Sequence, residues 1–283
     1  MSRILRPASF SQAVAMLAEH GQAARPIAGG TDTLTRLNAG AAPPSLWVDL
    51  SAVRQGRDIR VQDGALRIGA LVSFQDMAGS AALAAALPAL HQAANIMGSL
   101  QIRTRGTLGG NLCNASPAGD AIPPLVVADA LVELLGSTGS RMLSIQDFLL
   151  GPGQTARRPD ELLVAVHCAV VPGTVSAFVR VGARAHHVIT KASAAMACRV
   201  DRGILRDVRF ALGSVGPTVI RAPRVEALLE GHTPTAQRVA QAALASAAAA
   251  RPIDDVRSTA AYRREVCGEL VGIMLEKLGL QVG

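Results

Sequence analysis

The sequence predicts an α+β protein in two parts. Three observations lead there: helical and strand-like patterns alternate through the first 170 residues, two glycine-rich turns interrupt them, and Pro172-Gly173 separates this region from a tail of strands followed by helices. With 49 % hydrophobic and 17 % charged residues, the 283-residue chain has the balance of a globule with a filled core.

Residues 9–20 carry Ala13, Val14, Met16 and Leu17 at helical spacing, with Ser9 or Ser11 as cap and Gly21 as stop. A short strand at 25–28 runs into Gly29 and Gly30, and residues 31–37 open a helix. Strands are expected at 46–50 and 65–68, and helices at 72–77 and 81–90, interrupted at Pro88. The stretch 88–100 is helix-like, whereas 103–120 is dense in Gly, Asn, Ser and Thr without apolar period, which predicts a long functional loop. Strands at 130–135 and 162–171 flank Gly151-Pro152-Gly153. The domain junction falls near residue 173, giving domains 1–172 and 173–283. Beyond it come strands at 176–181, 192–200 and 207–215, then helices at 225–230, 236–250 and 263–278. The Ala-rich run 239–250 reads as an ordinary helix whose small side chains permit close packing.

Composition narrows the function. No run approaches the ~20 apolar residues of a membrane span, and no secretory signal is visible at the start of the chain, so a cytoplasmic location is expected. All but two of the 28 cationic residues are arginines, dispersed along the chain, and the aromatics number only seven. That argues against nucleic-acid binding, which needs a clustered basic face or stacking rings. Cys113, Cys168, Cys198 and Cys267 are far apart, without the spacing of a zinc or iron–sulfur site, and are expected as buried thiols. Adjacent His186 and His187 would point to opposite faces of a strand, so no metal is expected there.

Two glycine segments carry the chemistry. Ile27-Ala28-Gly29-Gly30-Thr31-Asp32-Thr33 fits neither G-x-G-x-x-G nor the ATP P-loop, yet adjacent glycines between a strand and a helix can turn several N–H groups toward one anion. Thr107-Leu108-Gly109-Gly110-Asn111 repeats the logic, and Asp120 suits a sugar hydroxyl or a ring N–H. Neutral donors without a lysine suit a diphosphate held permanently, as in a bound cofactor.

These segments, with Ala115-Ser116-Pro117-Ala118-Gly119-Asp120, Phe178-Val179-Arg180-Val181-Gly182-Ala183-Arg184 and the C-terminal stretch from Asp255 to Arg263, resemble the FAD-binding (medium) subunits of molybdenum hydroxylases. That family includes xanthine dehydrogenase and aerobic carbon monoxide dehydrogenase, and the resemblance spans essentially the whole chain. It implies a two-part FAD-binding domain of the vanillyl-alcohol oxidase (PCMH) type, followed by a small sheet-plus-helices domain. Ile27, Ala28, Gly29, Gly30, Thr31, Asp32 and Thr33, with Thr107, Leu108, Gly109, Gly110 and Asn111, would wrap the FAD diphosphate. Asn114 and Asp120 would contact the cofactor. Met97 stands where relatives can carry an aromatic ring, Leu163 near the isoalloxazine, and Arg180 where a basic group would stabilise reduced flavin or meet an acceptor. Asp255, Arg257 and Tyr262 are expected to form a buried network locking a helix, and Cys113 to serve packing. No residue is assigned a catalytic role, and no metal is expected on this chain. Residues 120–161 hold no cysteine, so the extra 4Fe-4S cluster of some relatives is not expected. The resemblance further implies a large molybdopterin subunit and a small 2Fe-2S subunit as partners, in a dimer of heterotrimers. NAD, a quinone, a cytochrome and oxygen all remain open as electron acceptors.

Overall fold

The computed structural model describes residues 2–184 and 189–283. The first unit is a three-stranded parallel sheet in the order β1-β3-β2, made of β1 (Arg3–Leu5), β2 (Ala24–Ile27) and β3 (Leu46–Asp49), with α1 (Phe10–His20) and α2 (Thr31–Asn38) in the crossovers. The Ser9 hydroxyl caps α1 by accepting from the Gln12 N–H at 3.2 Å, and Gly21, at φ +52°, stops it. The apolar stripe of α1 buries Phe10, Ala13, Val14 and Leu17 against Leu46, Val48 and Val53. α2 has no such stripe: none of its residues is buried.

The middle unit is a five-stranded antiparallel sheet, β4-β5-β10-β6-β7, formed by β4 (Ile59–Gln62), β5 (Ala65–Gly69), β6 (Leu131–Gly136), β7 (Gly139–Ser144) and β10 (Leu162–Ala169). Between β5 and β6 the chain forms α3 (Phe74–Ala78), α4 (Ala81–Ala86), α5 (Pro88–Ile96), α6 (Leu100–Arg105), α7 (Leu108–Asn114) and α8 (Ile122–Val127). α9 (Ile145–Phe148) and the ribbon of β8 (Leu149–Gly151) and β9 (Gln154–Thr155) precede β10. The alternation of period 2 in β6 turns Val132 and Leu134 onto Leu90, Leu108, Leu112 and Leu125 of the helices. Pro88 separates α4 from α5 at its first-turn position, where its missing N–H costs nothing.

The expected long loop at 103–120 is largely helical. α6 ends at Arg105 and α7 begins at Leu108. Glycine and asparagine are weak helix formers, but tertiary hydrogen bonds override them. Phe74 N–H donates to the Gly106 carbonyl, Leu108 N–H to Val72 and Gly109 N–H to Ala70, at 2.8–3.0 Å. The Thr107 hydroxyl then accepts from Gly110 N–H and caps α7.

The C-terminal unit is an antiparallel sheet, β11-β12-β13-β14, of β11 (Thr174–Val181), β12 (Ala192–Asp201), β13 (Ile204–Gly213) and β14 (Ile220–Arg221). α10 (Pro223–Leu229), α11 (Ala236–Ala249) and α12 (Ala260–Lys277) follow. β12 is buried without a break from Ala192 to Cys198, because α12 packs on one face of the sheet while α5 and α8 pack on the other. Small residues do bring α11 and α12 close: the Ser246 hydroxyl donates to the Cys267 carbonyl, and a Cβ on Gly268 would lie 3.3 Å from the Ala243 carbonyl oxygen. Cys168, Cys198 and Cys267 are buried free thiols.

The expected Tyr–Arg–Asp lock differs in its members. Tyr262 is 42 % exposed, with the Lys191 ammonium 5.2 Å from its ring centroid. The buried member is Arg263, next along α12, which reaches Asp255 at 2.6 Å and the Ser214 carbonyl. Helical geometry puts consecutive residues about 100° apart, so only one of the two can face the core. Burial pushes the Asp255 carboxyl up, but the Arg257 N–H and the guanidinium groups of Arg263 and Arg257 outweigh it and hold the carboxyl at about 2, against an ordinary 3.8. A depressed pKa gives stability that is present above the unfolded value and lost as pH falls through the folded one. Asp255→Asn is therefore expected to unfold at lower urea than wild type at pH 7. Urea midpoints measured from pH 7 downward should show the gap closing between about pH 4 and pH 2.

Candidate functional site

β2 ends at Ile27, and the chain turns through Gly29 and Gly30 into α2. Gly30 takes a left-handed conformation, φ +77°, that costs a Cβ-bearing residue energy. No side chain caps α2, α5, α8 or α10, and of these four only α2 lacks a proline in its first turn. A helix leaves its first N–H groups without intrahelical partners. Among the described residues, no acceptor takes the N–H groups of residues 29–33, which line a cleft. Partial positive charge therefore faces that cleft.

The facing wall is the start of α7. Thr107, Gly109, Gly110, Asn111 and Asn114 line the cleft, whereas the Leu108 side chain is fully buried in the core and its N–H is bound to Val72. Gly110 is exposed on the wall, and the Asn111 side-chain oxygen is buried there with no partner. Arg36 on α2 donates across the cleft to the Asn114 side-chain oxygen.

The glycines have more varied reasons than keeping a ligand's path open. A Cβ on Gly29 would lie 1.8 Å from the Arg105 carbonyl oxygen, and one on Gly109 would lie 2.9 Å from the carbonyl oxygen of Ala70. Those two let backbones touch and so join the walls to each other and to the middle sheet. Gly110 alone among these three meets only a side chain, the Thr107 hydroxyl at 2.9 Å.

At the inner end, Met97 leaves α5 and Leu163 lies beside an irregularity of β10 between Leu163 and Ala165. Asp120 is buried there. One of its oxygens accepts from Arg180 of β11, the other from the Thr190 hydroxyl at 2.7 Å. Arg180 also donates to the Ile96 carbonyl. Burial pushes the Asp120 carboxyl up, and Arg180 and Thr190 draw it partly back. The positive charge expected from Arg180 is thus already matched by a carboxylate.

Together these parts enclose a cleft of about 1090 Å³ that the first, middle and C-terminal units all line. The sequence-level candidates converge on it, apart from the Leu108 side chain. Arg36 and Thr190 escaped sequence reasoning, since their partners lie 78 and 70 residues away. Trp47 also lines the cleft; as the chain's one tryptophan on a short strand, it was open to notice. Cys113 is a half-buried wall residue whose thiol burial pushes up to about 11, with Arg157 opposing. It stays protonated at neutral pH, which fits packing over redox chemistry. Cys113→Ala is expected to leave the absorbance of bound cofactor unchanged.

Among the described residues no cluster of three or more His, Cys, Asp or Glu could hold a metal. None of the described helices is long and apolar enough to cross a membrane. His186 and His187 lie outside the described residues.

A cleft with unpaired N–H groups on one wall and the polar side chains of Thr107, Asn111 and Asn114 on the other suits a large anionic cofactor. Residues 1–169 match the family model described as the FAD binding domain in molybdopterin dehydrogenase, and residues 177–278 match the CO dehydrogenase flavoprotein C-terminal domain. The carbon monoxide dehydrogenase medium chain of Hydrogenophaga pseudoflava is 30 % identical, the match covering 94 % of this chain and 92 % of that one. The xanthine dehydrogenase FAD-binding subunit of Escherichia coli O157:H7 is 34 % identical, over 78 % of this chain and 76 % of its own. A solved carbon monoxide dehydrogenase from Hydrogenophaga pseudoflava, lacking the Mo-pyranopterin moiety of its cofactor, superposes with TM-score 0.93 at 30 % identity, covering 97 % of this chain and 96 % of that one. The chain belongs to the FAD-binding subunits of the molybdenum hydroxylases, a family of oxidoreductases, and carries their FAD-binding domain.

Proposed function

We propose that this chain is the electron-transferring flavoprotein subunit of a cytoplasmic molybdenum hydroxylase. It receives electrons from the 2Fe-2S clusters of a small partner subunit and passes them to an external acceptor, while a large molybdopterin subunit oxidises the substrate. The assembly is a dimer of heterotrimers. Relatives named as medium chains and FAD-binding subunits, matched over most of their length, support this reading. The observation that carries it is the row of unpaired N–H groups at residues 29–33, set opposite the Thr107–Asn111 wall.

The residues present fit FAD. The N–H groups of Gly29, Gly30, Thr31, Asp32 and Thr33 are donors for a diphosphate, and Thr107, Gly110 and Asn111 face them. The orphaned Asn111 oxygen is an acceptor, so it suits a hydroxyl or N–H of the cofactor and not a phosphate oxygen. Met97 and Leu163 offer an apolar, polarisable surface to a flat ring at the inner end. Arg36 and Arg157, which have no carboxylate partner among the described residues, add positive potential for the anion. When bound, FAD supplies the conversion between one-electron and two-electron transfer. The FAD-binding part ends at Pro172 and the C-terminal domain starts at Gly173, between β10 and β11, so Arg180 and Thr190 reach the cleft from the second domain.

Absorbance of the purified chain and acid-released flavin test this directly. One FAD per chain, with no oxidation of small molecules until the partner subunits are added, is the expected result. Robust turnover by the single chain would refute the subunit reading, and a chain that takes up no FAD would refute the site.

A further inference from the structure

Arg157 differs from the other arginines that line the cleft. Arg180 and Arg257 hold carboxylates, Arg36 donates to Asn114, and Arg25 is exposed. Arg157 is half-buried, and only its Nη1 is engaged, donating to the carbonyls of Arg158 at 3.0 Å and Glu161 at 2.7 Å. Its Nε and Nη2 meet no acceptor among the described residues. The carboxylates close to it in the chain are taken: Asp160 accepts from the Ser137 hydroxyl at 2.7 Å, and Glu161 from Arg141 at 2.7 and 2.9 Å and from the Arg158 N–H at 2.7 Å. Arg141 also donates to the Ala156 carbonyl at 2.7 Å. The residues on either side of Arg157 are thus tied to one ion pair, whose Glu161 side chain is only 4 % exposed. A fixed, unmatched cation stands on the wall.

Its neighbours place it along the cleft. Glu161, whose carbonyl it holds, leads directly into Leu162 and Leu163, which line the cleft with it. Its charge also acts on the Cys113 thiol, near the end of α7 and six residues, or about 9 Å of helix, beyond the Thr107 cap. We infer that Arg157 supplies the charge that favours reduced over oxidised FAD in this cleft, through its free Nε–Nη2 edge. The inference rests on the FAD reading above, with the ring beside Leu163. The oxidised ring is neutral. On taking two electrons and one proton, the ring gains one negative charge, shared between N1 and the C2 carbonyl oxygen. The diphosphate carries the same charge in both states, so a cation near the ring selects between them, whereas one near the diphosphate does not. A guanidinium stays protonated, and its Nε–Nη2 edge is the fork that suits two adjacent acceptors. In the proposed assembly the electrons come from the 2Fe-2S clusters of the partner.

The test uses the full chain reconstituted with FAD. Titration of apo protein gives the dissociation constant of the oxidised cofactor, and dithionite reduction against a reference dye gives the two-electron midpoint potential of the bound one. Together they give the affinity for the reduced form. Arg157→Gln removes the charge but keeps an N–H for the carbonyls of Arg158 and Glu161. It should cut the preference for reduced FAD by about tenfold, a fall of ~30 mV for a two-electron couple, while oxidised FAD changes by less than about twofold. Arg157→Lys, which restores the charge, should recover most of the potential. If far-UV circular dichroism finds Arg157→Gln unfolded, Arg157→Met makes the same comparison. An unchanged midpoint in the neutral variant would overturn the inference. Equal weakening of both redox forms would overturn it too, because Arg157 would then serve the diphosphate or the fold. Wild-type chain that takes up no FAD would overturn the underlying reading and the inference with it, an outcome distinct from a loaded variant with an unmoved potential.

Discussion

Gly110→Val is expected to yield a folded protein that has lost its FAD. The position is exposed on the cleft wall, and the nearest atom to a new Cβ is the Thr107 hydroxyl at 2.9 Å, with no backbone within reach. Thr107 can yield by rotating, at the loss of a helix cap worth about 1 kcal/mol. The two valine methyls then occupy the space between the walls, so the cost falls on the ligand. FAD affinity should drop by well over about tenfold, or ~1.4 kcal/mol, while the melting temperature of the apo protein moves by only a few degrees. Flavin stoichiometry equal to wild type in this variant would sink the assignment of α7 to the site.

Gly29→Ala, a smaller change on the opposite wall, should do more damage to the fold. Its Cβ would sit 1.8 Å from the Arg105 carbonyl oxygen and 2.6 Å from the carbonyl carbon, both backbone atoms that cannot rotate aside. The chain must separate residues 28–30 from 105–106, and overpacking of this kind costs about 1–3 kcal/mol or more. We expect a lower urea midpoint in the apo protein as well as lost FAD. A variant with wild-type stability would mean that the two walls do not touch. The contrast separates the two glycines, one kept for the backbone and one for the ligand, which a sequence motif alone treats alike.

Most of the fold was legible because it follows from local pattern. The stripe of α1 with its Ser9 cap, the alternation in β6 and the two-sided burial of β12 are properties of adjacent residues. The start of α7 was not, since Gly109-Gly110-Asn111 has poor helix propensity and is held by Ala70 and Val72 some 35 to 40 residues earlier. Asp120 and Arg180 were both legible as candidates, but their pairing across 60 residues was not. Tyr262 was expected in the helix lock as part of the C-terminal pattern with Asp255 and Arg257, while its neighbour Arg263 does the locking.

α2 buries none of its residues, lacks a side-chain cap and turns its free N–H groups toward the cleft. A helix of eight residues with no packed face has almost no stability of its own. Its folding free energy must come largely from whatever fills the cleft, growing as RT ln(1 + [L]/Kd) with ligand concentration. Amide hydrogens of residues 31–38 should therefore exchange fast in flavin-free protein and slow as FAD is titrated in, and a protease that cuts there would report saturation. Flavin-free protein would then carry one weakly protected segment on an otherwise folded chain, the place where proteolysis begins.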